Sequence, residues 1–218
     1  MLTGGRPLKV KVWGDLACFT RPEMKVERVS YPCLTPSAAR GVLEAIFWKP
    51  EFTWRVRSID VLRPVRYISI VRNEVTKKSS VGSTASGAVI IVDDDRAQRH
   101  TLALRDVAYV IRADVQLREH AKAEDPAKFR DQFRRRVASG RCFRQPYLGC
   151  REFAAFFCEP DDESTEAINK ELGAMLLDIE FPYGVFGPGR PIFFEARLQK
   201  GRLTVPELPR ESGEASLT

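Results

Sequence analysis

Histidine is scarce in this chain of 218 residues, and several other kinds of chemistry are missing with it. Only His100 and His120 are present, and neither lies near a serine or cysteine in a pattern that makes a nucleophile and its base, so protease-like catalysis has no support. The five cysteines, Cys18, Cys33, Cys142, Cys150 and Cys158, form no CxxC pair. The spacing of eight between the last three does not fit a zinc knuckle or ribbon, and buried structural thiols account for them instead. No apolar run approaches the roughly 18 residues of a membrane span. The N-terminal MLTGGRPLKVKVWGD carries no continuous apolar stretch of the signal-peptide kind. With an odd cysteine count as well, the expectation is a reduced, cytoplasmic protein with no membrane partner.

Charge, by contrast, is abundant and uneven. Lys and Arg number 35 against 29 Asp and Glu, a net charge of +6. Arg134, Arg135, Arg136, Arg141, Arg144 and Arg151 fall within one short segment, and a second basic stretch from Gly14 to Tyr31 carries Arg21, Lys25 and Arg28. The planar guanidinium fork suits bidentate contact with phosphate, which points toward nucleic acid. A solvated helix face is the other reading of the arginine segment, and the sequence leaves both open. Asp93-Asp94-Asp95 sits beside a flexible Gly/Ser-rich stretch rather than on rigid elements, so it reads as a solvated charge run and no metal site is expected.

Periodicity supplies the elements. Leu8 to Trp13 alternates strictly and predicts a first strand, followed by a long basic loop from Gly14 to Tyr31. Thr35-Pro36 is a helix start, cap plus proline, after which Ala39, Val42, Leu43 and Ile46 recur at helical spacing until Lys49-Pro50. Phe52 to Val61 and Arg66 to Val75 predict two strands. Residues 76–100 read as an exposed insertion with a mobile Gly/Ser-rich tip. A long strand is expected over Val107 to Val115, and a second helix from Asp125-Pro126 to Gly140 with the stripe Phe129, Phe133, Val137. Glu152 to Cys158 predicts another strand.

This order, strand-helix-strand-strand-helix-strand, is the ferredoxin-like plan used by RNA-recognition domains. The expected fold is therefore α+β. A ferredoxin-like (RRM-like) domain spans 1–160, a small antiparallel β region 161–209, and a disordered tail 210–218. The acidic linker Glu159 to Glu163 separates the first two.

Two local features bear on chemistry. Tyr183-Gly184-Val185-Phe186-Gly187-Pro188-Gly189-Arg190 joins two expected strands. Its glycines and Arg190 could meet a phosphodiester chain, or the segment is a plain turn; it is no P-loop, because no Gly-Lys-Ser/Thr and no helix follow. Lys128 opens the second helix, where a cation sits against the helix dipole and gains nothing as a mere surface residue. Metal-free RNA cleavage needs a base for the 2′-hydroxyl and a cation for the charged transition state, and Lys128 can supply the latter.

Five blocks, VKVWGDLACFTRPEMKVERVSYP, TPSAARGVLEAIFWKP, TLALRDVAYVI, FRRRVASGRCFRQPYLGCREF and FFEARLQKGRLTVP, together resemble the CRISPR-associated RAMP proteins of the Dvulg subtype, the type I-C guide-processing endoribonucleases. The resemblance implies metal-independent cleavage of the repeat hairpin in precursor CRISPR RNA, leaving a cyclic phosphate, with no cofactor. It implies as partners the mature 5′ handle and the backbone and large subunits of the interference complex; double-stranded DNA stands as a further candidate on the arginines alone. Of the family's tyrosine, lysine and histidine, only Lys128 is retained: the tyrosine position is Phe47, the histidine position is Phe129, and a further histidine corresponds to Arg144. Phenylalanine takes no proton, and core packing suits both positions. Tyr31, Tyr147 and His120 remain as alternative bases, and spacing places none of them in the site.

The RNA-binding set expected from the basic stretches is Arg21, Lys25, Arg28, Arg134, Arg135, Arg141, Arg144 and Arg190. Two other readings stand beside cleavage: a non-catalytic scaffold that grips the handle, and a general double-stranded nucleic-acid-binding protein.

Overall fold

A computed structural model describes residues 6–24, 26–76, 95–180 and 189–207. Lys25, positions 77–94 of the expected insertion, Tyr183 to Pro188 of the glycine-rich segment and the 210–218 tail lie outside the described residues.

The architecture is α+β and dominated by antiparallel sheet. Strand β1 (Leu8–Ala17) points Leu8, Val10 and Val12 to one face and Lys9, Lys11 and Trp13 to the other. Helix α1 (Pro36–Ile46) starts as the sequence predicts: Thr35 is the cap, its hydroxyl accepting from Ala38 N–H, and Ala39, Val42, Leu43 and Ile46 are buried. Helix α2 (Pro126–Ala138) repeats the device with Asp125, and Phe129, Phe133 and Val137 form its buried face. Strand β3 (Phe52–Val61) and the long strand β5 (Arg96–Leu117) pair antiparallel, as do β5 and β1, and β1 and β6 (Phe156–Cys158). The order across this part is β6-β1-β5-β3, with the apolar face under the two helices.

Four features differ from the sequence reading. The expected loop after Trp13 begins later, because β1 runs on through Gly14 to Ala17. A Cβ at Gly14 would lie 2.8 Å from Leu148 Cδ1 and 2.9 Å from the Ala154 carbonyl oxygen, so only glycine lets the strand pass under that loop.

Strand β5 is far longer than Val107 to Val115. Its first part, from Arg96 to Leu104, pairs with β4 (Tyr67–Val75), so Arg96 to His100, expected in an insertion, belong to a strand. Between the two partners Asp106 adopts φ 59°, a conformation aspartate tolerates, and it accepts from Arg63 at 3.0 Å. A two-residue strand, β2 (Arg28–Val29), adds a parallel pairing on the other side of β5.

The expected strand from Glu152 shortens to Phe156–Cys158. Glu152 turns aside to Arg28 and Arg72, while the Leu148 N–H donates to the Phe153 carbonyl and closes a turn.

The C-terminal strands, β7 (Lys170–Glu180), β8 (Arg190–Gln199) and β9 (Arg202–Thr204), continue the same sheet. β9 hydrogen-bonds to β3, β8 to β9, and β7 to β8. Asp60 fastens this join, accepting from Arg202 Nε at 2.5 Å and Arg112 Nη2 at 2.7 Å. Burial alone would raise its pKa, but the two guanidiniums outweigh burial and hold the carboxyl below its ordinary value.

Candidate active site and nucleic-acid interface

At one end of the sheet an aromatic cluster brings together Phe47 and Phe129, the two positions singled out beside Lys128, around the ring of Phe52. The Phe52 ring lies 5.5 Å from Phe47 and 5.2 Å from Phe129, both centroid to centroid. Phe47 ends α1, Phe52 opens β3 and Phe129 stands in the first turn of α2, so three element termini converge here. Phe47 is 1% exposed and Phe129 2%, and both are packed as core. Trp54 completes the cluster, with its ring 5.3 Å from Phe52 and its indole N–H donating to the Phe47 carbonyl at 2.9 Å. At the positions of the tyrosine and histidine that the resemblance calls for, the side chains carry no proton and face inward.

Lys128 lies at the edge of this cluster. Its ammonium sits 4.7 Å from the centroid of the Phe129 ring and pairs with Glu124 one turn back. The partner carboxylate and the ring hold the cation over the apolar cluster while leaving it in reach of solvent. His120 comes to the same end of the sheet. It lies exposed in the short 3₁₀ turn Glu119–Ala121, just after Arg118, whose N–H donates to the carbonyl of Glu51 beside Phe52. Tyr31 does not come here: it is 1% exposed, and burial raises its hydroxyl pKa. Tyr147 is half-buried in a bridge with Ala154.

The expected RNA-binding residues divide by the company they keep. Arg21 stacks 4.6 Å over the Tyr31 ring and pairs with Glu23. Arg28 is held between Glu74 (3.3 Å) and Glu152 (3.4 Å), Arg190 binds Glu180 at 2.6 Å, and Arg134 binds Asp131 at 2.9 Å. Arg135, Arg141 and Arg144, in contrast, are exposed and make no salt bridge among the described residues. No acid occurs between Asp131 and Glu152, a stretch that holds six arginines.

Arg141 and Arg144 are brought to the end of α1 by backbone bonds. Phe143 and Arg144 N–H donate to the Ala45 carbonyl at 2.9 and 3.0 Å. Arg136, not singled out from the sequence as a site residue, reaches the same end: Nη1 donates to the Ile46 carbonyl at 3.3 Å, and the guanidinium lies 5.3 Å from the Phe47 ring. Its sequence signal was the acid-free run itself.

The family profile described as CRISPR-associated protein (Cas_Cas5) matches residues 7–206. The chain belongs to this Cas5 family. Among curated relatives it is 48% identical over 218 residues to the "CRISPR pre-crRNA endoribonuclease Cas5d" of Thermus thermophilus, covering 91% of each chain. It is 45% identical to the protein of the same name from Mannheimia succiniciproducens, covering 91% of this chain and 94% of the relative. A solved structure titled "Crystal Structure of CRISPR-associated Protein" superposes with a TM-score of 0.68 at 23% identity over 93% of both chains, a likeness of fold. The family match therefore agrees with the resemblance drawn from the five sequence blocks, and the largely antiparallel α+β architecture agrees with the coarser part of the expected fold.

Proposed function

We propose that this Cas5-family protein is a cytoplasmic endoribonuclease that cuts precursor CRISPR RNA within the repeat, without metal, and keeps the 5′ handle bound in a type I-C interference complex. The observation that carries the cleavage is the position of Lys128, a solvent-reachable cation at the N-terminus of α2, where helix N–H groups favour phosphate. Residues 1–160 act as a ferredoxin-like unit, a reading supported by the antiparallel order β6-β1-β5-β3 beneath two helices. Residues 161–209 extend its sheet.

In the reaction a base removes the proton of the 2′-hydroxyl, and that oxygen attacks the adjacent phosphorus. The bond to the 5′-oxygen breaks, that oxygen takes up a proton, and a 2′,3′-cyclic phosphate remains. Lys128 stabilises the charge that gathers on the phosphorane oxygens, exchanging Glu124 for phosphate. His120 is the base: an imidazole can hold this proton near neutral pH, and its turn shares the sheet end with Lys128. Arg141 and Arg144 hold the RNA backbone.

The test is purified protein with repeat RNA in excess chelator, scoring cut product and bound fraction in parallel. Lys128→Ala is expected to slow cleavage on the order of 10²-fold while binding changes little. Cleavage that stops in chelator, or that ignores Lys128→Ala, overturns the mechanism. A second reading, a non-catalytic subunit that only grips the handle, is favoured by one feature: Phe47 and Phe129 are buried carbon where the family resemblance asks for proton carriers. Tight, hairpin-selective binding without cleavage in the wild type is its expected signature.

A further inference from the structure

Among the described residues Phe143 is the most exposed large apolar side chain, at 71%, yet its backbone is fixed. Its N–H donates to the Ala45 carbonyl at 2.9 Å and to that of Ile46 at 3.2 Å, satisfying carbonyls that the end of α1 would leave open. On the other side the turn leaves α2 through Gly140, at φ 64°, with Arg141 N–H on the Arg136 carbonyl at 2.9 Å. Capping explains why the backbone runs here and leaves unexplained why an aromatic ring is held out into solvent, since any side chain serves a backbone cap. Phe156, another exposed aromatic, lies 5.9 Å from Trp13 in a stack, whereas Phe143 touches no ring among the described residues. Trp48, 48% exposed, follows two residues after Ile46, so a second open ring belongs to the same end of α1. The surroundings are cationic: Arg141 and Arg144 flank Phe143 in sequence, and both are without a carboxylate among the described residues.

We propose that Phe143, with Trp48, is a stacking platform for the base of an unpaired nucleotide next to the repeat hairpin, while Arg141 and Arg144 take the phosphates on either side. This rests on the RNA-processing reading above and adds to it the recognition of single-stranded RNA at the flank of the site. A ring face presented between unpaired guanidiniums matches what single-stranded nucleic acid offers, an open base face between phosphates. An apolar anchor for another protein has no such need of acid-free surroundings. The platform lies beside Phe47, through Ile46, so the stacked nucleotide sits next to the cluster that carries Lys128.

The experiment compares the affinity of wild type, Phe143→Ala and Phe143→Tyr for a repeat hairpin with unpaired flanks and for the same hairpin trimmed blunt. A 2-aminopurine is placed at each unpaired position in turn. Phe143→Ala is expected to lose about tenfold in affinity for the flanked RNA and little for the blunt one, and Phe143→Tyr to stay within about twofold of wild type on both. Wild type should quench 2-aminopurine at one flanking position, and Phe143→Ala should not. The exposed position makes unfolding of the variant unexpected, and its melting temperature checks this. Equal affinities of wild type and Phe143→Ala for the flanked RNA overturn the proposal, including the case where the variant loses only assembly with another protein. Equal losses on flanked and blunt RNA overturn it too. Binding of the blunt hairpin by the wild type reports separately on the RNA-processing reading, so the two can fail apart.

Discussion

Two stretches of this protein are rich in arginine, and they use it in opposite ways. Around β2, Arg28 is clasped by Glu74 and Glu152, Arg72 joins both carboxylates, and Arg21 binds Glu23. These cations tie β2, β4 and the Glu152 turn to one another. From the last turn of α2 onward, Arg135, Arg141 and Arg144 stand exposed without a carboxylate among the described residues, in a run where no acid occurs for twenty positions. Counting positive charge marks both stretches as basic. What separates them is whether the charge is already neutralised, since a phosphate must displace a carboxylate from Arg28 but meets Arg144 unopposed.

The largest effect expected from this contrast is on RNA binding. Reversing Arg141 and Arg144 together to glutamate should weaken repeat-RNA affinity by roughly 10²-fold and lower the slope of log affinity against log salt by about 2, since two phosphate contacts are lost. Titrations at several salt concentrations measure both quantities. An unchanged slope would make the acid-free run a solvated face, the reading the sequence alone left open.

How legible this was differs by element. The starts of both helices could be read to the residue, because Thr35-Pro36 and Asp125-Pro126 encode them and the buried stripe repeats every three or four positions, while the ends, Ile46 and Ala138, fall short of the expected Lys49 and Gly140. The length of β5 could not, because Arg96 to His100 are strand only through pairing with β4, a partner that lies beyond an intervening segment of sequence. The join of β9 to β3 is equally non-local and leaves no mark in periodicity. At the site, Lys128 stood out by its misfit with the helix dipole, and Phe47 and Phe129 were legible as core, whereas Phe52, the ring that joins them, was legible only as the start of a strand. Whether an arginine is paired cannot be read this way: Glu74 and Glu152 lie 46 and 124 positions from Arg28. Phe143 escaped notice because an aromatic residue is expected inside.

An intermediate effect, on stability, is expected for the paired arginines. Arg28→Met removes the cation between Glu74 and Glu152 and leaves like charges facing each other, with Arg72 as their remaining cation among the described residues. The side chains are partly exposed, so the cost is about 1 kcal/mol, a fall in melting temperature of roughly 2–4 °C for a chain of this size. RNA affinity per folded molecule should stay within about twofold, as no free phosphate-binding group is lost. A large loss of affinity with an unchanged melting temperature would erase the distinction between the two stretches.

The smallest effect tests the boundary between them. Arg134 belongs to the arginine run by sequence, yet Asp131 on the preceding turn holds its Nη1 at 2.9 Å, with the two side chains 57% and 63% exposed. A pair so open to water contributes only a few tenths of a kcal/mol to the helix, so its removal hardly touches the fold. The carboxylate nevertheless adds a negative charge where RNA phosphates would approach and occupies one guanidinium. Asp131→Asn should therefore tighten repeat-RNA binding by about twofold to threefold at low salt, and the gain should vanish as salt screens the surface. Arg134→Ala, by the same reasoning, should weaken binding less than Arg135→Ala, because Arg135 has no carboxylate among the described residues to give up on contact. Affinities of the three variants at low and high ionic strength decide the matter. If Asp131→Asn is neutral at low salt and Arg134 and Arg135 prove equivalent, pairing with a carboxylate is not what distinguishes structural from RNA-facing arginines in this protein.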